Sequence, residues 1–157
     1  VDIYNHYVLH SFATFDEEPA TVRNRRAWFE TFKADGKYRL FVVADDHQVV
    51  GYAGSSVYRP HVSFAQTVET TVYLSPATTS KGVGTALYGR LLAELRTEGV
   101  HRVLAGIALP NEASMRLHRR FGFETVGTFN EYAKKWDKYV SSVWVQLRFR
   151  PPGSRRG

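Results

Sequence analysis

The sequence predicts an α/β fold of the α+β kind, a mixed sheet of six or seven strands with helices on both faces. Three observations predict it. Residues 38–74 hold three runs of β-formers separated by short turns, the pattern of an antiparallel meander. Residues 82–99 switch to a helical period opened by two glycines. Residues 101–149 then read strand, helix, strand, strand. A chain of 157 residues suits one domain, 1–150, with a short basic tail, 151–157. A domain of this size buries roughly 68–70% of its unfolded surface and needs no disulfide or metal staple.

Each element has a local reason. Ile3, Tyr7 and Val8 have helical spacing, and residues 12–18 read as a loop. Pro19 and Thr21 announce a second helix, with Thr21 as N-cap, Trp28, Phe29 and Phe32 on its apolar face, and Gly36 at its end. Residues 38–44 are apolar on both parities, which predicts a central strand. A turn at Asp45, Asp46 and His47 leads into a second strand, 48–58, which Arg59-Pro60-His61 breaks. The third strand, 64–74, carries Val68, Thr70, Val72 and Leu74 on one parity. Val83, Leu87, Leu91 and Leu95 then repeat at helical spacing until Gly99. Residues 101–109 form a strand, and Pro110 and Asn111 open a helix that Gly122 ends after Phe121. Residues 124–133 and 139–149 close the sheet, the second with Val143, Val145, Leu147 and Phe149 on one face. The tail is rich in Pro, Gly and Arg and is predicted flexible.

Charge and composition exclude several classes. The formal net charge is +6, but Arg148, Arg150, Arg155 and Arg156 supply four of those charges, leaving +2. No basic stripe or aromatic binding motif accompanies them, which argues against a nucleic-acid partner. The absence of cysteine excludes thiolate metal sites and a cysteine nucleophile, and fits a reducing, cytoplasmic setting. No apolar run approaches the roughly 18 residues of a membrane span, so no membrane partner is expected. His6 and His10 stand four apart without a third ligand and read as exposed helix surface, so no metal is expected. The chain opens on Val1 without an initiator Met and reads as trimmed at its front.

Two stretches carry chemistry. Gly82 and Gly84 open a helix behind a strand, where bare backbone N–H groups and the helix dipole suit a pyrophosphate. The loop is not that of nucleotide hydrolases, lacking the first glycine and the Lys-Ser/Thr step. Nor is it the dinucleotide fingerprint, which needs a third glycine and a ribose-binding acid. A strand-to-helix turn that simply requires glycine is the alternative. The second stretch, Asn111 to His118, puts Asn111, Ser114 and His118 near one helical face, with Leu117 and Phe121 turned to the core. Arg116, Arg119 and Arg120 would disfavour an imidazolium and lower the pKa of His118, whereas a nearby carboxylate would raise it, and the sequence does not decide between them. The alternative there is a hydrogen-bonded structural histidine.

Taken together, these stretches resemble the GNAT superfamily of acetyl-coenzyme A-dependent N-acetyltransferases. Its pyrophosphate motif, Gln/Arg-x-x-Gly-x-Gly/Ala, is matched by Thr79-Ser80-Lys81-Gly82-Val83-Gly84, with Thr79 replacing the usual Gln or Arg. Its later motif, Asn-x-x-Ser/Ala-x-x-Leu-Tyr/His then Gly-Phe, is matched by Asn111, Ser114, Leu117, His118, Gly122 and Phe123. Ile3-Tyr4-Asn5-His6, Phe15-x-x-Glu18-Pro19, Arg26-Ala27-Trp28-Phe29, Val68-Glu69-x-Thr71-Val72-Tyr73 and Leu109-Pro110-Asn111 are similar to the phosphinothricin and methionine sulfoximine acetyltransferases. This likeness runs from Ile3 to about Phe149. It implies a mostly antiparallel sheet flanked by about four helices, with a further strand ahead of the first helix, upstream of Val1. It also implies acetyl-coenzyme A as co-substrate, a homodimer, and direct attack by a small-molecule amine in a ternary complex.

The resemblance assigns roles residue by residue. Glu69 would accept the proton of the attacking amine, and His118 would serve the leaving thiolate or the amine. Backbone at Val72, Tyr73 and Leu74 would position pantetheine and polarise the thioester carbonyl. Thr79, Ser80, Lys81, Gly82, Val83, Gly84 and Thr85 would hold the pyrophosphate, and Asn111 and Ser114 would complete the cofactor site. Phe15, Arg59, Glu69 and Lys135 would bind the acceptor, with Arg59 or Lys135 on a carboxylate. The subgroup's Arg-Pro-Arg-x-Ala-Tyr reads Arg59-Pro60-His61-Val62-Ser63-Phe64 here. Its Lys-Phe-Gly-Arg-Trp-x-Asp reads Lys135-Trp136-Asp137-Lys138-Tyr139-Val140-Ser141. Such changes in a polar pocket alter selectivity. The resemblance implies an amino acid or analogue such as phosphinothricin or methionine sulfoximine as the acceptor, and the changes imply a preference within that class for an acceptor other than phosphinothricin. The alternative is a weakly catalytic domain that binds coenzyme A or a protein partner. Thr79 and the basic tail favour it, and the intact Glu69 and His118 oppose it.

Overall fold

A computed structural model describes residues 1–78 and 82–149. The chain enters as α1 (Asp2–His10) and α2 (Val22–Phe29), then forms β1 (Leu40–Asp45), β2 (Gln48–Val57) and β3 (Thr67–Leu74). Next, α3 (Val83–Thr97) leads to β4 (Arg102–Ala108), and α4 (Glu112–Arg120) to the hairpin β5 (Glu124–Lys135) and β6 (Lys138–Arg148). The described strands make one six-stranded sheet in the order β1-β2-β3-β4-β6-β5. Every neighbouring pair is antiparallel except β3 with β4. The predicted tail, 151–157, lies outside the described residues.

The core lies between this sheet and α3. Leu87, Leu91 and Leu95 share one face of α3 and are nearly or fully buried, as their spacing requires. They join Val68, Val103, Ala105, Val143, Val145 and Leu147 in one cluster. Burying each leucine contributes about 1.5–3 kcal/mol relative to exposure. Capping is local and as expected. The Thr21 hydroxyl accepts the Asn24 N–H at 3.3 Å, and the Asn111 carboxamide oxygen accepts the Ser114 N–H at 3.1 Å. Gly122 ends α4 in the left-handed region, at φ 81°.

Two expectations are corrected. The first strand of the meander is an edge strand, not a central one, and Val42 is 56% exposed. Apolar residues on both parities do not fix a strand's place when one of its faces stays open. The second helix ends at Phe29 rather than near Gly36. The Lys33 N–H pairs with the Tyr38 carbonyl at 2.8 Å, bending the chain toward β1. Trp28 still packs on Phe32 and Tyr52, whereas Phe29 points outward.

The feature that positions the site is a split in the sheet. β3 and β4 pair only through Thr67–Arg102, Val68–Val103 and Glu69–Leu104. Beyond that point β3 stays with β2 as far as Leu74–Gly51, and β4 stays with β6 as far as Ala108–Ser142. Each strand keeps its outer partner, so the two diverge and leave unpaired backbone along the opening.

Candidate active site

The split opens into a cleft of about 490 Å³. Residues 69–74 of β3 form one wall, residues 105–108 of β4 the other, and α4 contributes Asn111, Ser114 and His118. The segment after α1 closes the remaining side with Ala13, Thr14 and Phe15. Two phenols stitch this side to β3. The Tyr7 hydroxyl donates to the Leu74 carbonyl at 2.7 Å, and the Tyr73 hydroxyl donates to the Ala13 carbonyl at 3.1 Å. Tyr7, Ala13 and Thr14 are site residues that sequence reasoning misses. Helical spacing marks Tyr7 only as part of an apolar face, because its partner is 67 positions away.

Strand parity separates the two acid–base candidates. Val68 and Thr70 face α3, where the Thr70 hydroxyl lies 2.7 Å from that of Tyr88. Glu69 therefore faces the opposite side, which carries α1. It is half-buried, and desolvation raises its pKa above the usual carboxylate range. His118 is 3% exposed and packs on Tyr88 and Phe123, on the α3 side. Its Nδ1 lies 2.8 Å from the Ser114 carbonyl oxygen, which can only accept. Nδ1 therefore carries the proton, and Nε2 keeps the lone pair. Burial lowers the His118 pKa, opposed by that hydrogen bond. The sequence leaves the direction open, and burial decides it. Arg116, Arg119 and Arg120 project into solvent, and desolvation produces the shift.

The two glycines at the head of α3 have different roles. Gly82 is its N-cap, at φ 74° in the left-handed region, exposed and with open space where a Cβ would stand. Gly84 is buried, and a Cβ there would stand 2.9 Å from Leu74 Cδ1. Its missing Cβ lets α3 pack closely on the end of β3. Val83 and Thr85 are half-buried in the first turn. Thr79, Ser80 and Lys81 lie outside the described residues.

On the acceptor side, Phe15 lines the cleft and meets Tyr132 edge-on at 5.9 Å. Tyr132 sits in a bulge of β5, where the register shifts between Phe129 and Ala133 and Glu131 has φ 48°. Arg59 is exposed, stacked over Tyr58 and Phe64, and does not line the cleft. Lys135 is a correction. It is fully buried, and its ammonium donates to the carbonyls of Val8, Ser11 and Thr14 at 2.8, 2.8 and 2.9 Å. Those bonds use its three donors and leave none for a substrate carboxylate.

Comparison with known proteins agrees with this architecture. The model of the acetyltransferase (GNAT) family matches residues 2–123. The chain belongs to the GNAT acetyltransferase family. It is 47% identical over 147 residues to a phosphinothricin N-acetyltransferase of Streptomyces coelicolor, covering 92% of this chain and 86% of that one. It is 36% identical over 153 residues to the L-methionine sulfoximine/L-methionine sulfone acetyltransferase of Pseudomonas aeruginosa, covering 97% and 88%. A phosphinothricin acetyltransferase from Sinorhizobium meliloti, solved in complex with acetyl-coenzyme A, superposes with a TM-score of 0.88 at 30% identity, covering 94% and 80%.

This GNAT chain is an acetyl-coenzyme A-dependent N-acetyltransferase. Its own geometry fits that co-substrate. β3 and β4 part beyond Glu69–Leu104 along the cleft, and the first turn of a 15-residue helix follows the exposed Gly82. Among the described residues no group of three or more His, Cys, Asp or Glu is arranged to hold a metal. No helix among them is long and apolar enough to cross a membrane.

Proposed function

We propose that this enzyme acetylates the primary amine of an amino acid or close analogue, of the kind represented by phosphinothricin and methionine sulfoximine. Acetyl-coenzyme A, when bound, supplies an activated acetyl thioester. The observation that carries the reading is the cleft passing through the sheet, with Glu69 toward one face and His118 toward the other. Two ligands can enter from opposite sides and meet where β3 and β4 separate, which favours direct transfer in a ternary complex.

Glu69 accepts the proton that the amine must lose to attack. Its burial raises its basicity, which suits that task near neutral pH. His118 is held neutral by burial, with Nε2 unprotonated, so its resting form is a proton acceptor. Backbone N–H groups along residues 72–74 hold the thioester carbonyl and the pantetheine arm, and the head of α3 holds the pyrophosphate. Asn111 and Ser114 border the same path from the start of α4. Phe15 forms an apolar wall for the acceptor side chain. Arg59 follows the β2 residue Ser56, which pairs with Glu69, by three positions, and it makes no ion pair among the described residues. It is the cation assigned here to the acceptor carboxylate.

A homodimer belongs to this reading, supported by exposed Phe129, Tyr132 and Tyr139 on the edge hairpin β5–β6. A cytoplasmic setting is supported by a co-substrate that is made inside cells. The test is a panel of amines with acetyl-coenzyme A, read by release of free thiol. Amino acids and analogues bearing a free carboxylate should turn over, phosphinothricin and methionine sulfoximine included. Turnover only of amines lacking a carboxylate would overturn the acceptor assignment.

A further inference from the structure

We propose that Lys135 is a positioning residue for acetyl transfer: its ammonium gathers the backbone carbonyls of Val8, Ser11 and Thr14 and so holds Phe15 at the acceptor mouth of the cleft. This rests on the reading that the acceptor enters from the α1 side. The three carbonyls come from the last turns of α1 and the irregular stretch that follows it. That stretch has no sheet ladder to hold it. Lys135 supplies what a ladder would, from a position more than 120 residues further along the chain.

Burial explains why the arrangement is specific. A buried ammonium is strongly unfavourable unless its donors are satisfied, and here three oxygens converge on it. Desolvation lowers the Lys135 pKa, and the nearby Asp16 and Glu17 carboxylates oppose that shift. The Trp136 ring covers the ammonium at 4.2 Å. Neighbouring contacts lock the same two segments together. The Trp136 N–H donates to Glu17 Oε1 at 2.8 Å, and Phe12 packs on Trp136 at 5.5 Å. Tyr132 meets Phe15 from the bulge a few residues upstream. Losing the ammonium would orphan three carbonyls beside the wall formed by Ala13, Thr14 and Phe15. It would leave the α3 and α4 side of the cleft in place.

The test uses Lys135→Met and Lys135→Arg in the full chain, with phosphinothricin as the acceptor. Lys135→Met should raise the phosphinothricin KM about tenfold or more, with the acetyl-coenzyme A KM within about twofold. Lys135→Arg keeps the charge but presents a flat fork, and should raise the acceptor KM several-fold with the same split. Hydrogen exchange should quicken at residues 11–17 and stay unchanged in α3 and α4. Should Lys135→Met not fold, Lys135→Arg is read by the same criteria. Equal rises in both KM values, or unchanged exchange at residues 11–17, would overturn the proposal. Exchange reads Lys135 without any acceptor, so failure of the wild-type enzyme on phosphinothricin would count against the acceptor reading alone.

Discussion

Glu69 and His118 show how one cleft gives two titratable groups opposite protonation tendencies by the same means. Each is desolvated, which raises a carboxyl pKa and lowers an imidazole pKa. Glu69→Gln should lower kcat by about 10²–10⁴-fold while calorimetry finds acetyl-coenzyme A affinity nearly unchanged. Wild-type activity should fall as pH drops through the raised Glu69 pKa, because the protonated acid cannot take the amine's proton. A Gln variant with full rate across that range would make Glu69 structural. His118 carries a stability signature as well. Its folded pKa lies below the unfolded value, so the unfolded chain binds the proton first as pH falls. Stability is therefore present above the unfolded value of about 6.5 and lost as pH falls through the folded one. His118→Gln should flatten the urea midpoint against pH over that window. It should also lower kcat more than it raises either KM. A flattened stability curve with unchanged kcat would reduce His118 to packing.

Among the elements, the junction of β2, β3 and α3 decides the cleft's shape. Leu74 ends β3 between two glycines. A Cβ on Gly51 would stand 2.5 Å from Leu74 Cδ2, and one on Gly84 would stand 2.9 Å from Cδ1. The two Leu74 methyls thus occupy the space that a side chain at either glycine would need. Gly84→Ala should cost about 1–3 kcal/mol by overpacking, read by urea denaturation. Leu74→Ala frees the space, so the same Gly84→Ala change in that background should cost less. Equal costs in both backgrounds would show that the leucine is not the obstacle. The split between β3 and β4 follows from their separate partners. The end of β3 belongs to β2 and α3, and that of β4 to β6.

For the molecule as a whole, the hairpin β5–β6 faces two ways. Its base pairs into the sheet, and its turn is tied to the segment after α1 through Lys135 and Trp136. Its outer surface leaves Val126 and Phe129 open on the edge strand β5 and Tyr139, 68% exposed, at the start of β6. Exposed apolar side chains near a sheet edge invite a second chain. Light scattering at micromolar concentration should give twice the 17.9 kDa of one chain. Tyr139→Glu should shift the mass toward the monomer without unfolding it. A monomer mass for the wild-type chain would reject the dimer.

Features settled within a few residues are legible in the sequence alone. Thr21 and Asn111 cap their helices because the N–H groups they satisfy lie three positions on. Leu87, Leu91 and Leu95 face the core because a helix returns to the same side every 3.6 residues. The alternation in β6 names its buried face for the equivalent reason in a strand. Glu69, Asn111, Ser114 and His118 are marked by short motifs and do line one cleft. Contacts between distant segments decide the rest. Edge or centre for β1 depends on which strands lie beside it, and no period within the strand encodes that. Gly84 reads as part of an anion loop, and the fold adds that Leu74, ten positions earlier, packs against it. Lys135 reads as a free cation because a lysine is usually solvated, and its carbonyl partners lie at the other end of the chain. Packing alone brings those groups together, so only the tertiary structure could turn a substrate-binding expectation into a support for the acceptor wall.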